Sequence, residues 1–185
     1  DLNHFFEPNT QNTSGVTNTW GSNLANTYSV RTIQHWINEY KIDGYRWDLT
    51  KGFTNSCTSG DEACTNDYKA DRVAKLKWYA DKQWEADNTS YCIFEHLGND
   101  DVEEQQWANY RVNETPSKGV MMWGKMTNQY NQLSMGYATS SDISRMASGS
   151  RGFTANRLMG YAESHDEERL MYKNVQYGAS SGSYN

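Results

Sequence analysis

The stretch DGYRWDL, residues 43–49, is the most informative part of the sequence for the fold. Its pattern predicts a short strand directly before an acidic side chain. Residues 45–49 are rich in aromatic side chains and have strand character. Apolar side chains recur at helical spacing over residues 30–40, which predicts a helix just before this strand. We expect that helix to end over residues 41–44, with Gly44 in a left-handed exit conformation.

The alternation of helix and strand continues beyond this stretch. A second helix is predicted with Asn66 or Asp67 as its cap and with core positions at Val73, Leu76, Ala80 and Trp84. Further strands are predicted at residues 91–95, 120–123 and 158–162. Because strands that alternate with helices form parallel β/α units, the sequence predicts an α/β fold.

Acidic side chains fall at the ends of three of the predicted strands. Asp48 closes the first strand, Glu95 closes the second, and Asp166 follows the fourth by a few residues. A β/α unit of a barrel averages about 31 residues, so the first gap fits one unit with a long loop and the second fits two. Because the catalytic residues of barrel enzymes lie at the carboxyl ends of the strands, we expect the three acids to lie close together at that end of the barrel.

Clustered carboxyl groups of this kind can cleave a glycosidic bond. One carboxylic acid protonates the leaving oxygen, while a second carboxylate attacks or supports an oxocarbenium-like centre. Arg46 lies two residues before Asp48, so both side chains are expected on one face of the strand, where the cation would keep Asp48 charged. Glu95 follows two apolar residues, and an apolar setting favours the protonated form of a carboxyl group, which can act as a general acid. A purely structural Arg46–Asp48 ion pair explains the spacing equally well.

Three segments resemble the motifs of a known enzyme family. Residues 43–53, 91–96 and 161–169 are similar to motifs of the α-amylase family of glycoside hydrolases, especially of its secreted bacterial members. The resemblance covers about residues 29–178. It implies a (β/α)8 TIM-type barrel, of which these residues would supply about strands four to seven with their helices, and it implies a secreted or extracytoplasmic location.

The resemblance also implies an activity and its catalytic residues. The expected reaction is cleavage of α-1,4-glucosidic bonds in starch or maltooligosaccharides, with retention, by double displacement. Asp48 would be the nucleophile and Glu95 the acid and then the base. Asp166 would stabilise the transition state by binding sugar hydroxyls.

Four further residues are expected to bind or orient the substrate. Arg46 would orient Asp48, His165 would bind the same sugar ring as Asp166, and Lys51 would contact sugar further along the cleft. Trp123 ends a predicted strand and has a flat face that suits a sugar ring, although aromatic side chains more often belong to the core.

Two departures from the family pattern concern sugar and metal binding. Gly52 stands where many relatives have a His whose backbone oxygen helps to hold a structural Ca²⁺; backbone oxygens do not depend on the side chain, so calcium remains possible. The Asn-His pair ending at His4 is a superficial echo of an early sugar-binding motif of the family. No metal ligands are assigned from the sequence, and no other cofactor is expected.

The expected organisation has three parts. Residues 1–28 are predicted to be a loop region before the barrel segment, residues 29–178 the partial catalytic barrel, and residues 179–185 a flexible tail. The remainder of the barrel is expected outside these residues. Two alternatives stay open: a glucan transferase or branching enzyme of the same family, and a non-catalytic carbohydrate-binding fragment.

The amino-acid composition disfavours certain classes of binding partner. The formal net charge is −6 and no basic stripe is present, which disfavours a nucleic-acid partner. No run approaches the roughly 18 apolar residues of a membrane span. Cys57 and Cys64 could close a short disulfide and Cys92 is predicted to be a buried thiol, although three free thiols in a cytosolic protein remain an alternative.

Overall fold

The computed structural model describes residues 23–58, 60–99 and 101–179. Most of the predicted loop region, with His4, and residues 180–185 of the predicted tail lie outside the described residues. The helices are α1 (Asn23–Tyr40), α2 (Glu62–Asn66), α3 (Ala70–Ala86), α4 (Asp101–Ala108), α5 (Thr127–Ser134) and α6 (Leu170–Tyr177). The strands are β1 (Gly44–Trp47), β2 (Tyr91–Phe94), β3 (Met121–Lys125) and β4 (Leu158–Tyr161). Short 3₁₀ helices lie at Thr50–Gly52, Ser144–Met146 and Ser148–Arg151.

The four strands form one parallel sheet in which spatial order follows chain order, β1-β2-β3-β4. Trp47 pairs with Phe94 at the end of β1 and β2, and Lys125 pairs with Tyr161 at the end of β3 and β4. Parallel neighbours need a crossover connection, and helices α3, α4 and α5 lie in the three connections. The α/β prediction is therefore confirmed.

One face of the sheet packs against helices and forms the main core. Cys92, Phe94, Val120 and Met122 are buried there against α3 and α4, and all four predicted α3 core positions are buried in the same cluster. Trp107 of α4 is completely buried among them. A second cluster joins Ile33 and Ile37 of α1 to Tyr79 of α3. Strand side chains alternate between faces, so Arg46 and Trp123 belong to the other face.

Helix α1 begins earlier than the sequence predicts. Its first turns cover residues 23–28, which the sequence analysis assigned to a loop because their composition is polar. The Asn26 side-chain oxygen accepts hydrogen bonds from Lys75 Nζ at 3.3 Å and Tyr79 Oη at 3.4 Å, both on α3. Packing against α3 therefore extends the helix beyond its apolar periodicity, which explains why the predicted loop boundary is wrong.

The exit of α1 also differs from the prediction. Lys41, with φ 54°, is the left-handed residue after the helix, and its N–H donates to Ile37 O at 3.1 Å. Gly44 instead begins β1, with φ 153°. A Cβ on Gly44 would lie 2.0 Å from the backbone oxygen of Tyr91. The glycine is thus required by the close approach of β2.

We expect Gly44→Ala to destabilise the fold by about 1–3 kcal/mol or more, because the added methyl group meets backbone that cannot move aside. Gly52→Ala is the matched control, since a Cβ there has no heavy atom within 4 Å. Denaturant unfolding of both variants and the wild type measures the difference. Equal stability of the two variants would show that β1 and β2 do not approach as closely as described.

Among the described residues, no helix is both long and apolar enough to cross a membrane.

Candidate active site

The sheet places Asp48 and Glu95 at the same level of its carboxyl edge. Each acid follows directly after one residue of the Trp47–Phe94 pair, which is the last pair in register between β1 and β2. The Glu95 N–H also donates to Trp47 O at 3.0 Å, so the pairing continues one residue past the strand. The two predicted catalytic carboxyl groups are therefore neighbours on adjacent strands.

Arg46 contacts both of these carboxylates. Its Nη1 forms an ion pair with Asp48, and its Nη2 lies 2.8 Å from Glu95 Oε1. The Asp48 side chain is 75% exposed, whereas that of Glu95 is 5% exposed. Asp48 is accordingly open to an incoming molecule, and Glu95 is held in place.

The surroundings of Glu95 differ from the apolar setting that the sequence predicts. Besides the Arg46 contact, Glu95 Oε2 accepts a hydrogen bond from the Leu49 N–H at 2.9 Å. Leu49 has φ 40° and ψ 55°, a left-handed conformation that costs a non-glycine residue energy and is concentrated at functional sites. Glu95 is thus paired with a cation and a backbone donor, and the backbone after Asp48 is bent to supply the donor.

Trp123 supports the Arg46 cation from β3, two strands away in the sheet. The Arg46 guanidinium lies over the Trp123 ring at 4.0 Å, a cation–π contact. Trp123 also lies 4.7 Å from the Tyr161 ring and is stacked on the His165 ring at 6.5 Å, measured between centroids. The structure therefore brings Trp123 into contact with the predicted site, with Arg46 over its ring.

His165 and Asp166 follow β4 on the same edge. Their side chains are 65% and 59% exposed, and His165 Nε2 lies 3.3 Å from Asp166 Oδ1. Burial, together with the negative charges of Glu167, Glu95 and Asp166, raises the pKa of Tyr161 to about 12, and Arg46 opposes these effects. Tyr161 is therefore influenced by the negative charges of Glu95 after β2 and of Asp166 and Glu167 after β4.

Lys51 is oriented away from the Asp48 and Glu95 carboxyl groups. Its Nζ lies 3.5 Å from Glu62 Oε1 and 3.3 Å from Asn66 Oδ1, both on α2. A disulfide joins Cys64 in this short helix to Cys57 before it, so the paired alternative for these cysteines is confirmed. The predicted buried thiol, Cys92, is also confirmed.

A buried polar cluster that the sequence pattern does not predict lies behind Glu95. We call it the Glu103 cluster, and it consists of Thr50, Arg72, His96 and Glu103. All four residues are at most 1% exposed. Glu103 accepts hydrogen bonds from Arg72 Nε and Nη2 and from the Lys69 N–H, and its Oε2 lies 2.8 Å from His96 Nε2. Burial alone would raise the pKa of Glu103, but these partners hold it below its usual value.

We expect the free energy of unfolding to fall as the pH drops below about 6.5, with His96 responsible for part of the fall. Burial lowers the pKa of His96 from its usual 6.5, Arg72 and Lys51 act in the same direction, and Glu103 opposes them. Between the folded pKa and 6.5 the unfolded state binds more protons, so acidification favours unfolding.

Denaturant unfolding from about pH 7.5 to 5 measures this dependence around the usual titration range of His. His96→Gln should lower stability overall but flatten the slope in that range. An unchanged slope in the variant would contradict the assignment to His96.

Within the described ranges, no group of three or more His, Cys, Asp or Glu side chains is arranged to hold a metal ion. A structural Ca²⁺ therefore stays an expectation from the family resemblance.

Comparison of the chain with protein-family models and with curated proteins gives no match. Support for a function comes from the three motifs and from the geometry at the carboxyl edge of the sheet.

Proposed function

We propose that the chain is the catalytic part of a retaining glycosidase of the α-amylase family, which cleaves α-1,4-glucosidic bonds in starch or maltooligosaccharides. The observation that carries the proposal is the shared cation: one Arg46 guanidinium contacts both Asp48 and Glu95 at the carboxyl edge of adjacent parallel strands. Carboxyl groups within reach of one guanidinium are close, as in retaining enzymes, where they lie about 5–5.5 Å apart.

The exposed carboxylate suits the first half of a double displacement. Asp48 attacks the anomeric carbon and forms a glycosyl ester, while the bond to the leaving oxygen breaks and Glu95, which must enter this step protonated despite its Arg46 contact, gives that oxygen a proton. The exposure of Asp48 and the fixed position of Glu95 match these two roles.

Water completes the reaction. Glu95, now a carboxylate, takes a proton from the water molecule as its oxygen attacks the anomeric carbon, and the bond to Asp48 breaks. Arg46 contacts the nucleophile and the acid/base in both halves, so it keeps the two groups in register as charge moves between them.

Side chains of the last motif complete the sugar site. Asp166 and His165 are exposed after β4 and would bind hydroxyl groups of the reacting ring. Trp123 supports Arg46 and His165, and any sugar contact it makes would involve the ring surface that Arg46 does not cover. Lys51 would reach sugar only after leaving its α2 partners.

We further propose that the four strands belong to a closed (β/α)8 barrel. A parallel sheet whose spatial order equals its chain order is what four consecutive strands of such a barrel would form, and barrel enzymes place their active sites at the carboxyl ends of the strands. The Cys57–Cys64 disulfide supports a secreted or extracytoplasmic location, because disulfides persist in oxidising compartments.

The deciding experiment follows the anomeric configuration of the product. Proton NMR of maltooligosaccharide cleavage by the full chain should show the α-anomer first, with β-anomer appearing later by mutarotation. Initial release of β-anomer would exclude double displacement. Longer oligosaccharides among the first products would favour the transferase alternative, and binding without cleavage would favour the non-catalytic one.

A further inference from the structure

The Glu103 cluster has no part in the chemistry described above, yet it is expensive to bury. Removing a charged group from water is energetically unfavourable, and close pairing must offset that cost. The cluster lies directly behind the residues that follow β1 and β2. The contacts of its side chains therefore indicate which backbone segments it holds in place.

Arg72 ties the segment after β1 to helix α3. Its Nη1 donates to Lys51 O at 2.6 Å and to Thr65 O at 2.7 Å, and its Nη2 donates to Asp67 O at 2.8 Å. Three backbone carbonyl groups of the segment that begins three residues after Asp48 are thus fixed by one side chain.

Thr50 joins that segment to the backbone of Glu95. The Thr50 N–H donates to Glu95 O at 2.8 Å, and the Thr50 hydroxyl lies 3.3 Å from both Glu95 O and His96 Nδ1. The other ring nitrogen of His96 faces Glu103, so the imidazole is held from both sides. A Cβ on Gly98 would lie 2.6 Å from His96 Nε2, which indicates how closely the following loop packs on the ring.

We propose that Thr50 and Glu103 are positioning residues that hold the Glu95 carboxyl group in register with Asp48, acting through the backbone and through His96. This inference rests on the proposed function. A displacement of about 1 Å in a catalytic group can cost about 10²-fold in rate. Loss of the link between the two segments should impair proton donation by Glu95 more than attack by Asp48.

The first test removes the Thr50 hydroxyl. Thr50→Val keeps the side-chain shape and the backbone bond to Glu95 O, and Thr50→Ser restores the hydroxyl. The kcat and KM of the full chain are measured on a maltooligosaccharide and on a 4-nitrophenyl α-maltooligosaccharide, whose leaving group needs little protonation. We expect Thr50→Val to lower kcat/KM on the first substrate about tenfold or more relative to the second, and Thr50→Ser to restore the ratio.

The second test compares two adjacent buried acids on α4. Glu103→Gln breaks the cluster, and Glu104→Gln breaks a separate buried ion pair with Arg151. Both variants should unfold at lower temperature, but the ratio of kcat/KM between the two substrates should change in Glu103→Gln alone. A merely structural role would reduce the active fraction and so lower kcat/KM equally on both substrates.

The outcomes separate this inference from the proposed function. Wild-type protein that cleaves neither substrate overturns the proposed function and the inference together. Wild-type activity with unchanged substrate ratios in Thr50→Val and Glu103→Gln overturns the inference alone. An equal change of the ratio in Glu104→Gln also overturns it, because the effect would then follow any lost ion pair.

Discussion

Replacing Asp48 by Asn is expected to reduce hydrolysis of α-1,4-glucans by about 10⁴-fold or more, because an amide cannot form the glycosyl ester that the reaction needs. The fold should survive, since the Asp48 side chain is 75% exposed and its ion pair with Arg46 is open to water. We expect a stability change of about 1 kcal/mol or less. Activity and denaturant unfolding are measured on the same preparation.

Asp43→Asn is the matched control. Asp43 precedes β1 and Asp48 follows it, so these two exposed acids lie at the amino and carboxyl ends of the same strand. In a barrel enzyme the carboxyl edge carries the chemistry and the amino edge contributes to stability. Substantial residual hydrolysis in Asp48→Asn, or an equal loss in Asp43→Asn, would remove Asp48 from the nucleophile role.

The second large effect is expected at Glu95, and it should depend on the leaving group. Glu95→Gln cannot donate a proton, and general acid catalysis contributes about 10²–10⁴-fold. Starch and maltooligosaccharides should therefore lose activity within that range. Substrates with a 4-nitrophenyl leaving group should lose less, because their leaving oxygen departs without protonation.

Steady-state kinetics on both substrate classes measures this difference. Glu85→Gln serves as the control, because Glu85 is on the surface of α3 and pairs with Lys82 there. Equal losses on good and poor leaving groups would contradict the acid role. Glu95→Gln also removes the charge that faces Arg46, so its unfolding curve should be compared with that of the wild type.

Local patterns predicted the layout of the sheet well. The core positions of α3 follow from apolar periodicity, although α3 begins after Lys69 rather than after the predicted cap at Asn66 or Asp67. The strands before Asp48 and Glu95 follow from short aromatic or apolar runs. Chain order then predicted which acids would come together, since adjacent parallel strands end at one edge. These features depend on residues close to one another in the chain.

Features that depend on distant partners were not predictable in this way. Arg72 and Glu103 are separated by 31 positions, and in the sequence each is an ordinary polar helix residue. The environment of Glu95 was misjudged for the same reason, because its cation comes from the neighbouring strand. Lys51 belongs to the same motif as Asp48, yet the structure turns it toward α2. Spacing places side chains on a face but does not determine which partner they meet.

The order of the strands has a consequence for how the protein is made. Each strand after β1 pairs with the strand that leaves the ribosome just before it, so each newly synthesised β/α unit meets an edge that already exists. Domains generally fold as units, and translation adds about 5–20 residues per second. The two members of the Arg46–Glu95 ion pair, which belong to neighbouring strands, are therefore both synthesised before the segment that carries Asp166.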